Sequence, residues 1–77
     1  MEQLMEILEE LRPDIDFENE TELVTNRILE SFDIINLVSE IDDEFDVKVK
    51  PADLVPENFN SAKAMWEMIQ RLQDEDF

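Results

Sequence analysis

The stretch ILESFDIINLVSEIDDEF, residues 28–45, decides how this chain is read. From Ser31 onward, Ile34, Leu37, Val38, Ile41 and Phe45 recur at the spacing of one helical face. Asp33, Asn36, Glu40, Asp43 and Glu44 fall on the opposite side. The pattern predicts an amphipathic helix from Ser31 to about Phe45, with a core stripe and a wet face. Phe32 and Ile35 lie off that stripe, where the core does not need them. A lone hydroxyl, Ser31, stands at the mouth of the helix among acids.

Upstream, Leu4, Ile7, Leu8 and Leu11 share one face and predict a helix from Gln3 to Leu11. Pro13 ends it, because the residue before a proline is pushed out of helical geometry. The polar connection PDIDFENETELVTNR follows, with Ile15, Phe17, Leu23 and Val24 as candidate anchors. A loop this long in a small domain is functional or pinned by side chains, and here it is expected to run the length of a bundle. Downstream, VKVKP (47–51) alternates like a strand but has no pairing partner, so it reads as an extended approach to a short helical turn. Pro51 opens that turn, Ala52, Asp53 and Leu54 continue it, and Pro56 closes it. Asn60 or Ser61 caps a last helix, in which Ala62, Met65, Trp66, Ile69 and Leu72 face inward and QDEDF frays. The chain has no glycine, so Asn19, Asn26 and Asn58 are the expected left-handed substitutes. The fold class read from these elements is all-α: a small four-helix bundle, one domain over residues 1–77, with three longer helices and one short.

Composition narrows the function. Apolar residues make up 43 %, enough for one small core. There is no cysteine to staple that core. No apolar run approaches a membrane span, and the N-terminus lacks the basic region of a secretory signal, so a cytoplasmic monomer is expected. Twenty-two acids against six bases give a net charge of −16, which argues against nucleic acid and anionic membranes as partners. The acidity is also uneven. Glu30, Asp33, Glu40, Asp42, Asp43, Glu44 and Asp46 fall within residues 30–46 with no base among them, which favours a partner with a basic docking face.

With neither His nor Cys, the common activated nucleophiles are missing, and no catalytic residue is assigned. The carboxylates are many, but a bundle this small rarely offers a sugar-sized cleft, so an enzyme is not expected. Asp14, Asp16, Glu18, Glu20 and Glu22 alternate as in a calcium loop. An EF-hand needs glycine at its sixth position and a bidentate Glu at its twelfth, and these positions hold Asn19 and Thr25. No metal site is assigned. Ser31 is left with two readings. It caps the helix, satisfying an orphan N–H, or it is the centre of a docking spot formed with Phe32, Ile35 and the acids.

On these residues the chain resembles the acyl and peptidyl carrier proteins. Their signature is an Asp-Ser-Leu or Asp-Ser-Phe triplet opening the second helix of a four-helix bundle, with acids along that helix. ILESFDIINLVSEIDDEFDVKV is similar to that helix and its exit, ADLVPENFNS to the short third helix, and AKAMWEMIQRL to the fourth. The phenylalanine after the serine resembles carriers of the D-alanyl type. Two positions depart from the pattern: the usual aspartate is Glu30, and the glycine often found four residues before the serine is Arg27. The resemblance implies a covalent 4′-phosphopantetheine on Ser31, added by a phosphopantetheinyl transferase. It implies further partners as well: a ligase that loads an acyl or aminoacyl cargo, and downstream transferases with basic faces, as in fatty acid biosynthesis. Docking would use Glu30, Phe32, Asp33, Ile35, Glu40 and Asp43. The rival expectation is an acidic helical adaptor that binds a basic protein and carries no prosthetic group.

The charge carries a consequence for stability. Like charges crowded on a small bundle repel, and salt shortens their reach from about 30 Å at 0.01 M to about 10 Å at 0.1 M. The melting temperature is expected to rise with sodium chloride, and further with a divalent cation. A thermal melt that does not move between low and high salt contradicts this.

Overall fold

The first helix, α1, spans Glu2–Leu11, and its stripe packs as its spacing requires: Leu4, Ile7 and Leu8 are buried and Leu11 is half-buried. The Arg12 N–H still donates to the Leu8 carbonyl at 2.9 Å, and Pro13 stops the ladder there. The computed structural model describes residues 2–75, with the side chain of Glu75 left aside. Further along are α2 (Ser31–Phe45), a single 3₁₀ turn (Pro51–Asp53), the short α3 (Pro56–Phe59) and α4 (Ala62–Glu75). Among the described residues there is no strand, and the architecture is all-helical. Helix α1 lies against α2, α3 lies against α4, and α4 meets both long helices. No helix is long and apolar enough to cross a membrane among the described residues.

Residues 12–30 form the long connection, and it is pinned from several directions. Phe17, Leu23 and Leu29 are buried, with Ile15, Val24 and Ile28 packed at the margin of the core. Asn60 holds the middle of the connection. Its carbonyl accepts the Leu23 N–H at 2.9 Å, and its side-chain oxygen accepts the N–H groups of Val24 and Thr25 at 2.9 and 3.0 Å. Its amide also donates to Thr25 Oγ1 at 3.0 Å. Asn60 is therefore not the cap of the last helix. Ser61 is, with its Oγ accepting the Ala64 N–H at 3.0 Å.

Two expectations about turns are corrected. Pro56 does not close a turn but opens α3, where its fixed φ and missing N–H suit the first helical position. Left-handed backbone occurs at Arg27 (φ 58°) and Asp46 (φ 52°), not at the three asparagines. Asp46 follows the last residue of α2, and a short polar side chain tolerates that conformation. The asparagines are tethers instead. Asn19 donates to Asp16 Oδ2, Asn26 to Glu22 Oε2, and Asn58, inside α3, to the Asp53 carbonyl. Arg27 has no such excuse; a non-glycine residue there costs on the order of 1 kcal/mol. The fraying expected over QDEDF is corrected for its first three residues. Helix α4 continues through Gln73, Asp74 and Glu75, and Asp76 and Phe77 lie outside the described residues.

The core joins the stripes of the three long helices. Leu37 and Ile41 are buried on α2, and Ala62, Met65, Ile69 and Leu72 on α4. Ile34, Val38 and Phe45 pack at its edge, and Trp66 meets Phe45 edge-on with ring centroids 5.8 Å apart. Val49, Phe59 and Met68 are buried as well, beyond the stripes read from sequence. The extended residues before the 3₁₀ turn are held by Asp42, whose Oδ1 accepts the Val49 N–H at 3.0 Å.

This register assigns opposite roles to neighbours on α2. Leu37→Ala is expected to cost about 2–5 kcal/mol in urea denaturation, because a fully buried leucine leaves a cavity. Phe32→Ala should change stability by no more than about 0.5 kcal/mol. A large loss from Phe32→Ala with a silent Leu37→Ala contradicts the register.

Candidate functional site

The first turn of α2 decides what Ser31 is free to do. Glu30 is extended (φ −99°, ψ 171°) and occupies the cap position, so Ser31 is the first residue inside the helix. The capping reading of Ser31 is thereby corrected. Its side chain is exposed, and its hydroxyl makes no hydrogen bond among the described residues. Beside it the N–H groups of the first turn lack intrahelical acceptors, as at every helix start, and give that end a partial positive charge.

Asp33, two residues on, is held from two sides. Its Oδ2 accepts the Glu30 N–H at 3.1 Å and the Arg12 Nη1 at 2.8 Å. The same Arg12 nitrogen donates to the Ile28 carbonyl at 3.3 Å, while Arg12 Nε and Nη2 reach both carboxylate oxygens of Asp14 at 3.1 Å. One guanidinium thus fastens the end of α1 to the approach and first turn of α2. The hydrogen bond from Arg12 holds the Asp14 carboxyl below its ordinary range. Asp14 raises the already high value of Arg12 in return. Asp33 was expected on the wet face; its side chain is only 16 % exposed and its charge is matched by Arg12. It offers a docking partner less than Glu30, Glu40 and Asp43 do, which are all exposed.

Phe32 and Ile35 stand out from the bundle at 72 % and 66 % exposure, as their position off the stripe requires. Leu54 and Val55 are exposed as well, in the link between the 3₁₀ turn and α3, and were not foreseen as site residues. Their signal in the sequence was an apolar pair caught between two prolines, in a segment too short to show a face. Ser31 borders an open depression of about 320 Å³ lined by Val24, Arg27, Leu29, Glu30 and Ile34. Val24 and Ile34 also line a more apolar hollow of about 230 Å³ that continues to Leu54, Val55, Pro56 and Phe59. The free hydroxyl therefore borders one of two neighbouring hollows that share Val24 and Ile34 as walls, the second of them mainly apolar.

The alternating acids of the α1–α2 connection are not gathered into a cage. Asp14 is engaged by Arg12 and Asp16 by Asn19. Comparison of the chain with models of protein families, with curated proteins and with solved structures gives no match.

The double engagement of Asp33 separates it from the other acids of α2. Asp33→Lys removes the acceptor for Glu30 and sets a second cation against Arg12, so it should lower stability by more than about 1 kcal/mol. Asp43→Lys makes the same change of net charge at an exposed position and should be neutral or slightly stabilising. Equal urea midpoints for the two variants would remove the clasp from the account of this site.

Proposed function

We propose that the protein is an acyl or aminoacyl carrier, bearing 4′-phosphopantetheine on Ser31 and presenting a thioester-bound cargo to successive enzymes. The observation that carries the reading is the freedom of Ser31: Glu30 takes the cap position, so an exposed hydroxyl at the head of α2 has no structural task. The order of elements supports it too, with a long α1, a pinned connection, an acidic α2, a short α3 and a closing α4. So does Arg27. Where the carrier family often has glycine, the backbone here has φ 58°, the region glycine favours.

The residues around Ser31 fit the group. A phosphodiester on Oγ would sit where the first-turn N–H groups and the helix dipole favour negative charge. The hollow beside Ser31 and its neighbour lined by Leu54, Val55 and Phe59 share Val24 and Ile34, which puts apolar surface near the point of attachment. In the transfer, Ser31 Oγ forms the new bond to phosphorus as the anhydride bond to the nucleotide half of coenzyme A breaks. The serine proton goes to a base of the transferase, so the lack of histidine in this chain is no obstacle. The arm supplies a terminal thiol on which cargo is held as a thioester. Phe32, Ile35, Leu54 and Val55 give partners apolar contact, and Glu30, Glu40 and Asp43 give charge that speeds encounter and rejects wrong partners.

Intact-mass measurement after incubation with coenzyme A and a phosphopantetheinyl transferase tests this. One arm per chain is expected, with none on Ser31→Ala. That variant should keep its helical circular dichroism and lose no more than about 0.5 kcal/mol, since Ser31 is not the cap. An arm still added to Ser31→Ala refutes the assignment of the site. A wild-type chain that accepts no arm from transferases of differing specificity favours the adaptor, which would use the same acidic and apolar surface without a prosthetic group.

A further inference from the structure

We propose that the Arg27 guanidinium pairs with the phosphodiester formed on Ser31 and anchors the root of the arm; this rests on the carrier reading above. Of the six bases in the chain, Arg27 is the one that lines the depression bordered by Ser31. The other arginines are committed elsewhere, Arg12 to Asp14 and Asp33, and Arg71 to Asp53. Arg27 forms no ion pair among the described residues, although the chain carries twenty-two acids. A cation left unpaired in so acidic a protein, facing the recess of a free hydroxyl, calls for an anion that arrives later.

The surroundings make that anion's problem specific. A phosphodiester on Ser31 adds a negative charge next to Glu30 and close to Asp33. Asp33 is already balanced by Arg12; Glu30 is exposed and pairs with no cation among the described residues. Arg27 is the group on this recess able to offset the added charge, and a planar guanidinium meets two phosphate oxygens at once. Its backbone is held for the purpose. The Arg27 N–H donates to the Val24 carbonyl at 3.0 Å, and the Leu29 N–H donates to the Leu23 carbonyl at 2.9 Å. The left-handed residue is thereby kept at the rim of the recess, where glycine would relieve the backbone but supply no charge.

The test compares wild type, Arg27→Gly, Arg27→Gln and Arg27→Lys, each as the unmodified and the arm-bearing protein, with loading verified by intact mass. The phosphorus NMR resonance of the arm-bearing wild type is expected to differ from those of the Gly and Gln variants. The difference should shrink as sodium chloride is added, and Lys should restore part of it. In parallel, the change in melting temperature on modification should be more favourable in wild type than in Arg27→Gly, even though the unmodified Gly variant melts higher. Loaded proteins with one phosphorus shift and one modification-dependent change in melting temperature across all four would overturn the pairing and leave the carrier reading intact. A wild-type chain that takes no arm would overturn both.

Discussion

Everything at the head of α2 depends on a connection that has no regular structure of its own being held in one place, and Asn60 does most of that holding. Backbone donors in an irregular segment must find acceptors, or the segment pays for their desolvation. Leu23, Val24 and Thr25 find theirs on a single residue at the junction of α3 and α4. With those bonds made, Leu23 reaches the core, and Val24 becomes a wall of the recess beside Ser31. The clasp of Arg12 on Asp33 and the Ile28 carbonyl closes the far end of the same connection. Between these two fixtures the chain has little freedom in how it delivers Ser31.

The charge distribution follows a related logic. A net charge of −16 makes every base valuable, and the structure uses two of the arginines as joints between segments distant in sequence. Arg12 joins α1 to α2, and Arg71 lies 3.8 Å from Asp53, linking α4 to the 3₁₀ turn. The longer Arg71–Asp53 pair, with Arg71 half exposed, adds little to stability by itself, whereas Arg12–Asp33 is the shorter and more buried joint. Their effect is positional: they fix the two segments that flank the recess, while the acids of the α2 surface are left open to a partner.

Much of this was legible where residues repeat at a helical period. The bounds of α2, its stripe, and the exposure of Phe32 and Ile35 follow from register alone, because a helix turns by a fixed angle per residue. Legibility failed where the deciding partner is far away in sequence. Asp33 looks like any surface acid until Arg12, 21 residues earlier, is folded against it. Asn60 looks like a helix cap until Val24, 36 residues away, claims its oxygen. Val49 and Phe59 were missed because a lone apolar residue in a short segment has no period, and burial there is decided by what packs over it. Pro56 was misread because a proline that stops one turn serves equally well to start the next. Of the site, the serine and its immediate neighbours could be read, but not the two hollows, whose walls belong to three separate segments.

The contact between Phe45 and Trp66 has a use beyond packing. The chain contains one tryptophan and no tyrosine, so a single indole dominates its near-ultraviolet absorption and emission. That indole is half-buried against the last residue of α2, edge-on to a phenyl ring. Ser31 is the first residue of the same helix, and at a rise of about 1.5 Å per residue the two ends lie on the order of 20 Å apart. The protein thus carries a built-in optical probe at the end of α2 remote from the serine. Its position suits it to report the packing of α4 on α2. A change in that emission on modification at Ser31 would report either a shift of α2 or the arm itself reaching the far end of the helix.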